Sequence, residues 1–437
     1  MCKHGDVVRA IGSVTYTYTM NRWGEKCYTE YCTRNVLYKE RTVQGTYCTL
    51  YKTARLWYDE LSNTLINEGF TPNDCDPCIF NKTVGGTQIT IIVYVDDLMI
   101  ISKKPRLIKA IITTLEMKYD KLKISSGKVH NYLGMVFDFS NPTYVSVDQI
   151  GMVEDIISST RTAVQQYTAT PLSAAHRSFA ERLKKAPSAS SKTPAAPYLF
   201  AVSTDSPLLE DELKAIFHST VAKLMFISNR TRQDILTTLS FLTGRVRFPT
   251  EEDWQKLARV LQYLGATKED KLLIGCTRPY QVHASIDSSF AVHPTGRSHT
   301  GVTVTLGRGV LYSKSTAQKI NTTSSCQAEM VALAKGLQQG IFLAYFLAGQ
   351  GYPQLPVLVS QDNQSTIKLV ENGRSSSELT RHIEIGYFWT KDLVDRGLID
   401  IVYCPTGDMI ADFFTKPLQS TLFSYLKGKV MGISPIA

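Results

Sequence analysis

Along residues 46–66 the apolar positions fall mostly three and four apart: Leu50, Ala54, Trp57, Tyr58, Leu61 and Leu65. That spacing predicts a helix with one apolar face, ended by Gly69 and Pro72. The period then shortens. Residues 89–94 and 98–101 are apolar, largely β-branched runs around Val95-Asp96-Asp97, which predicts a hairpin with two acids at its tip. A further helix is predicted over 107–117, and a second hairpin from 132–139 and 143–147, turning at Asn141-Pro142. Ser, Ala and Pro crowd residues 184–207, the composition of a linker or long loop. Residues 211–264 are mostly helical in pattern, interrupted near Pro249.

From residue 280 onward the order of elements is clear. A strand at 282–287 is followed by a hairpin of 300–306 and 310–315 across Gly307-Arg308-Gly309. A long helix over 324–348 opens on the capping box Ser324-x-x-Gln327. A strand at 356–361 then ends in Asp362-Asn363. Two helical stretches, a strand at 400–403 and a helix from residue 408 complete the chain. This order predicts a mixed sheet with helices on its faces. The chain as a whole reads as a multidomain protein of the α/β and α+β classes, with no internal repeat.

Composition narrows the picture. A length of 437 residues suggests two or three domains, and an apolar content of 43% excludes a disordered chain. No uninterrupted apolar run reaches the ~18 residues of a membrane span, and MCKHGDVVRA at the start has no apolar signal region. The nine cysteines are odd in number and scattered, which points to a reducing compartment rather than a disulfide framework. The expectation is an intracellular protein, in a cytoplasmic particle or the nucleus, neither secreted nor in a membrane. Residues 280–437 carry 13 basic against 11 acidic side chains, so most of the formal charge of +9 lies in the first 279 residues. That balance permits nucleic-acid binding, and a solvated basic surface explains it equally well.

The sharpest chemical signal is Asp96-Asp97 inside ITIIVYVDDLMIIS. A buried carboxylate costs several kcal/mol unless it is paired or bound to a cation. Two carboxylates about 4 Å apart repel by roughly 4 kcal/mol at an effective dielectric near 20. A divalent metal offsets that cost. Four further acids stand at informative places. Strand alternation puts Gln281, His283, Ser285 and Asp287 on one face and Val282, Ala284 and Ile286 on the other. Glu329 lies one turn into the long helix, Asp362 ends a strand, and Asp412 stands among apolar neighbours in IADFF. Singly, each has a bland explanation: a helix-dipole partner for Glu329, a turn former for Asp362. Four acids on elements able to converge suit a two-metal phosphoryl-transfer site.

These residues carry a resemblance. YVDD at 94–97, after an apolar strand, resembles the catalytic hairpin of reverse transcriptases. SSCQAEMVAL (324–333), DNQSTIKL (362–369), TRHIEIGYF (380–388) and ADFFTKPL (411–418) resemble the RNase H of copia-type LTR retrotransposons. LWYDEL (56–61), EGFTPNDCDPCIF (68–80), NYLGMVFDF (131–139) and SNRTRQDILTTLSFL (228–242) resemble that family's polymerase and connecting region. The resemblance implies a Pol polyprotein segment. Its parts are a truncated reverse transcriptase palm over 1–175, a linker and helical thumb or connection over 176–279, and an RNase H-like domain over 280–437. It implies two Mg²⁺ or Mn²⁺ ions per active site, held by Asp96 and Asp97 in the polymerase and by Asp287, Glu329, Asp362 and Asp412 in the nuclease. The implied partners are RNA/DNA hybrid, primer–template and, for a working polymerase, dNTPs. Tyr94 would sit beside the primer end, and His382 matches the family's helix histidine, although a structural hydrogen bonder fits it equally well. Arg55, Lys103 and Lys104 are further candidate nucleic-acid contacts, and for Lys103 and Lys104 a solvated turn fits equally well.

The departures from the family fall mainly on the polymerase half. LYKTARLWY (50–58) lacks a usual Gly and Gln and is shortened, the fingers are expected to be largely missing, and residues 7–49 do not match the family convincingly. Asp6 is the best acid available for a third polymerase ligand. In the nuclease half Ser289, Gln327 and Phe388 replace usual residues without touching the quartet. Hydrolysis is therefore expected to survive better than synthesis. A decayed or domesticated remnant that only binds nucleic acid or a protein partner is the alternative. Of the weaker signals, Cys75 and Cys78 have zinc half-site spacing but no matching downstream pair, so zinc is not expected. Trp57 and Tyr58 could stack on bases, but at apolar helix spacing they read as core residues. Arg230 and Arg232 fit either packing or phosphate contact.

Overall fold

The structure is a computed structural model. It describes the backbone outside residues 1–5, 12–13, 21–25, 33–42, 120, 170–190, 278–279, 355, 373–383 and 437. Side chains are described from residue 55 onward, apart from those positions and 169, 372 and 384–387. His382 lies outside the described residues. The chain forms two compact units, 1–143 with 349–351, and 144–348 with 352–437. The segmentation expected from the sequence, at 175/176 and 279/280, divides the chain differently.

In the first unit a six-stranded sheet has the order Thr71–Pro72, Ile79–Val84, Thr87–Tyr94, Asp97–Ser102, Asp6–Ile11, Lys123–Ser125. Period-two alternation along Thr87–Tyr94 buries Ile89, Ile91 and Val93 on one face. The helices Val43–Asn67 and Pro105–Tyr119 supply Leu61, Leu65, Ile108, Ile111, Ile112 and Leu115 to that core. The last four recur at i, i+3, i+4 and i+7, so one helix stripe meets one sheet face. The expected strand over 132–139 is instead a hairpin of Val129–Tyr132 and Met135–Asp138. Leu133 and Gly134 have φ of 52° and 74°, and two successive left-handed residues reverse the chain there.

The second unit is built on a five-stranded sheet ordered Val310–Ala317, His299–Thr305, His283–Ser289, Val357–Gln361, Ile399–Tyr403. The first three strands are antiparallel and the last two join them in parallel. This is the mixed sheet the element order predicts. The long helix Ser325–Gly349 packs Met330, Ala332, Leu333 and Leu337 against Ala284, Ile286, Val302 and Val304. Gly336 permits the contact: a Cβ there would lie 2.8 Å from Ile286 Cδ1 and 2.9 Å from Val302 Cγ2. By length and overall composition this helix is apolar enough to cross a membrane, although Glu329 and Lys335 interrupt its apolar run. Its N-terminal half is buried in the core described here, as a core helix's would be.

The helices Ile150–Ala169, Asp211–Ser228, Leu236–Thr243, Glu251–Ala266 and Ser420–Val430 share a single core with residues 410–414. Two sequence expectations change here, and one open reading is resolved. Residues 191–207 are not a free linker, because Ala195, Leu199 and Phe200 are buried in that core. Arg259 Nε also donates to the Thr193 carbonyl at 3.1 Å and Gln419 Nε2 to the Ala195 carbonyl at 2.8 Å. Arg232 is a packing residue: it is 1% exposed and donates to both Asp234 oxygens at 3.0 and 2.8 Å. Arg230 lies over the Phe226 ring at 3.6 Å. Lastly, no α-helix starts at residue 408. Short 3-10 turns at Thr406–Asp408 and Ile410–Phe414 precede Pro417, and the helix begins at Ser420.

Candidate metal centre

The sheet of the second unit presents a row of small and acidic residues to the turn Ile410–Phe414. Strand register places Asp287 opposite Gly301 and Gly301 opposite Ser315. The turn lies across this row. Thr415 Oγ1 donates to Asp287 Oδ2, and Ser315 Oγ donates to the Phe414 carbonyl at 2.8 Å. Thr237 Oγ1, from a helix of the same core, donates to the Phe413 carbonyl at 2.8 Å. Gly301 admits the turn, since a Cβ there would lie 2.7 Å from the Ala411 carbonyl oxygen. Distant donors thus take the carbonyls that an α-helix would use internally, and Pro417 has no N–H to continue one. Asp412 stands on a fixed turn rather than on the predicted helix.

The structure brings Asp287, Asp362 and Asp412 together, with one carboxylate oxygen from each lying within 4.8 Å of the others. Asp287 and Asp412 are buried and Asp362 is half-buried. Thr406 Oγ1 donates to Asp362 Oδ2 at 3.0 Å. Glu329 is buried beside the cluster. Its Oε1 accepts from the Ser288 amide at 3.2 Å and the Ser288 hydroxyl at 3.3 Å, and its Oε2 accepts from Gln361 Nε2 at 3.3 Å. The capping box forms in part: Gln327 N donates to Ser324 Oγ at 3.2 Å, while Gln327 Oε1 reaches Thr323 N at 2.5 Å rather than the Ser324 amide.

Crowded buried acids hold their protons. Burial, then the negative charge of Asp287, pushes the Glu329 carboxyl up to about 9. The same two causes push Asp412 up to about 7, against the opposing pull of Lys416. Lys416 Nζ lies 2.7 Å from Asp412 Oδ1. A divalent cation suits this donor set. The oxygens are hard ligands, and Mg–O bonds of about 2.1 Å place opposite ligands of an octahedron about 4.2 Å apart.

In the first unit Asp96 and Asp97 sit at the tip of the antiparallel pair Thr87–Tyr94 and Asp97–Ser102, where Tyr94 pairs with Asp97. Val95 has φ of 54°, a left-handed conformation unusual for a β-branched residue. Trp57 Nε1 donates to the Val95 carbonyl at 2.9 Å and so ties the turn to the preceding helix. Trp57 also packs against the core at the edge of Tyr119, in keeping with its reading as a core residue. Tyr94 and Lys103 are exposed and Lys104 is half-buried. Arg55 pairs with Asp59 at 2.9 Å. Asp6 is not brought to the tip. Its strand pairs Ile11 with Asp97 and Asp6 with Ser102, five residues away, or about 17 Å along a strand. Among the residues whose side chains are described, no third acid joins Asp96 and Asp97 in a metal-capable group.

Sequence reasoning missed the groups that hold the acids: Lys416, Thr415, Gln361 and Ser288. Lys416 had a legible signal, lying four residues after Asp412, where side chains on one turn meet. The others depend on which strands become neighbours.

Residues 35–174 match the family described as reverse transcriptase (RNA-dependent DNA polymerase), so the match begins inside the 7–49 stretch that the sequence reading left outside the family. The retrovirus-related Pol polyprotein from transposon TNT 1-94 of Nicotiana tabacum is 25% identical over 390 residues, covering 86% of this chain and 27% of the relative. That from transposon RE1 of Arabidopsis thaliana is 26% identical over 383 residues, covering 87% and 24%. The chain thus spans about a quarter of the length of these relatives. Among solved structures, LC11-RNase H1 in complex with RNA/DNA hybrid is similar over 31% of this chain and 93% of that one, at 18% identity and a TM-score of 0.25. The chain carries a reverse transcriptase segment and is a homologue of the Pol polyproteins of copia-type transposons.

Proposed function

We propose that the second unit hydrolyses the RNA strand of RNA/DNA hybrids with two divalent cations, and that this activity outlasts DNA synthesis by the first. The observation that carries the reading is the convergence of Asp287, Asp362 and Asp412 from three separate elements, with buried Glu329 beside them. When bound, the cations supply an activated water and stabilise the leaving oxygen of an in-line displacement. Asp287, Glu329, Asp362 and Asp412 would hold them. Thr415, Ser288, Gln361 and Thr406 fix the carboxylates by hydrogen bonds, so little reorganisation is needed. The hybrid would be gripped through its backbone, minor-groove shape and 2′-hydroxyls.

For the first unit, Asp96 and Asp97 on a tied turn support a polymerase hairpin. The distance of Asp6 from that tip, together with the sequence departures, argues for weak or absent extension from primer–template and dNTPs. The site's setting, an intracellular particle or the nucleus, belongs to the same proposal. Purified full-length chain with Mg²⁺ should cut a labelled RNA/DNA hybrid in its RNA strand. Asp362→Asn should cut it at least ~100-fold more slowly, as removal of a transition-state electrostatic contact does. Equal cutting by variant and wild type would refute the reading. Hybrid binding without metal, and no cutting with it, would favour the non-catalytic alternative.

A further inference from the structure

Lys416 is the one basic side chain the described structure pairs with the acid cluster. Its ammonium lies 2.7 Å from Asp412 Oδ1, and Asp287 and Asp362 act on it as well. Its side chain is 38% exposed, so the head has a route to solvent, whereas Asp412 is 2% exposed. Asp412 itself sits on a turn held by Thr237, Ser315 and the close approach at Gly301, so it cannot easily move away from the lysine. Asp412 Oδ1 accepts no hydrogen bond among the described residues and meets the ammonium as an ion pair, so a divalent ion reaching it must displace that charge, since the two cations repel at such range.

We propose that Lys416 is an internal counter-cation that competes with the divalent metal for Asp412, so that metal entry requires the ammonium to turn out toward solvent. The proposal rests on the metal-site reading above. Lys416 would set the metal concentration at which the cluster fills, by keeping three acids partly neutralised until a divalent ion displaces it. A lysine with a purely structural role would have the opposite signature, because its loss would loosen the turn and weaken metal binding.

The test is calorimetric titration of the full chain with Mn²⁺ at fixed pH. Lys416→Met, which keeps the apolar stem and removes the charge, should bind Mn²⁺ roughly tenfold more tightly than wild type. Lys416→Arg keeps the charge and adds a planar fork suited to carboxylate, so it should bind several-fold more weakly. This second variant decides the matter if the first does not fold. Unchanged or weaker binding by Lys416→Met, or unchanged or tighter binding by Lys416→Arg, would overturn the proposal while leaving the metal site standing. Absence of Mn²⁺ binding to wild type would overturn both.

Discussion

Gly301→Ala should reduce hybrid cleavage by at least ~100-fold and destabilise the second unit by about 1–3 kcal/mol. The added methyl would lie 2.7 Å from the Ala411 carbonyl oxygen, 2.7 Å from Thr415 Cγ2 and 3.1 Å from Phe414 Cβ. Two of these atoms belong to the turn that carries Asp412 and the third to Thr415, which donates to Asp287. Gly301 is not among the residues with positive φ, so the penalty is steric rather than conformational. The turn cannot yield cheaply, because Thr237 and Ser315 hold its carbonyls from either side. A shift of about 1 Å in a catalytic group costs on the order of 100-fold in rate. Denaturant unfolding and hybrid cleavage measured on the same preparation would separate the two effects. Wild-type cleavage by Gly301→Ala would show that the turn does not position Asp412.

The second large effect concerns folding. Asp234→Ala should cost about 3–5 kcal/mol, because it leaves a buried guanidinium unpaired. Arg232 is 1% and Asp234 2% exposed. The network around them is fully used: Tyr263 Oη donates to Asp234 Oδ2 at 2.5 Å, and Arg232 donates to the Thr267 carbonyl at 2.9 Å and the Thr267 hydroxyl at 2.7 Å. Burial would raise the Asp234 carboxyl, but Arg232 outweighs it and holds the group below its ordinary value. A lowered carboxylate contributes stability above its unfolded pKa of about 3.9 and loses it as pH falls through the folded value. The pair should therefore weaken only in acid below about pH 4. Urea unfolding of Asp234→Ala beside a double variant with apolar residues at both positions checks this. The double variant should be the more stable of the two, since it leaves no buried charge.

Much of the architecture was legible in local pattern. Period two along Thr87–Tyr94 and period 3.6 along Pro105–Tyr119 carry through because each element has one apolar face to bury, whereas His283–Ser289 is buried on both faces, its polar face against the acid cluster. Asp287 could be placed by alternation, and Asp362 by its position at a strand end. What was not legible depends on partners far away in sequence. The turn Ile410–Phe414 reads as helix, and it takes another form because Thr237 and Ser315 claim its carbonyls. Residues 191–207 read as linker from their Ser and Pro content, yet YLFAV within them supplies apolar surface to a core assembled from five helices. The hairpin break at Leu133-Gly134 was hidden by apolar neighbours on both sides. Register slips of this kind also explain Asp6: an acid at a suitable sequence separation sits at the wrong end of its strand.

The most direct test of the carboxylate cluster is Mn²⁺ calorimetry of the wild-type chain and Asp287→Asn at pH 7, repeated in buffers of different ionisation enthalpy. Glu329 is pushed up to about 9 and Asp412 to about 7, so at pH 7 Glu329 carries a proton and Asp412 a fraction of one, and a bound cation must expel them. The account predicts Mn²⁺ binding by wild type with net proton release, affinity that rises with pH between about 6 and 9, and loss of most of that binding in Asp287→Asn. Binding of equal strength in the two proteins, or binding with no proton release at pH 7, would contradict it.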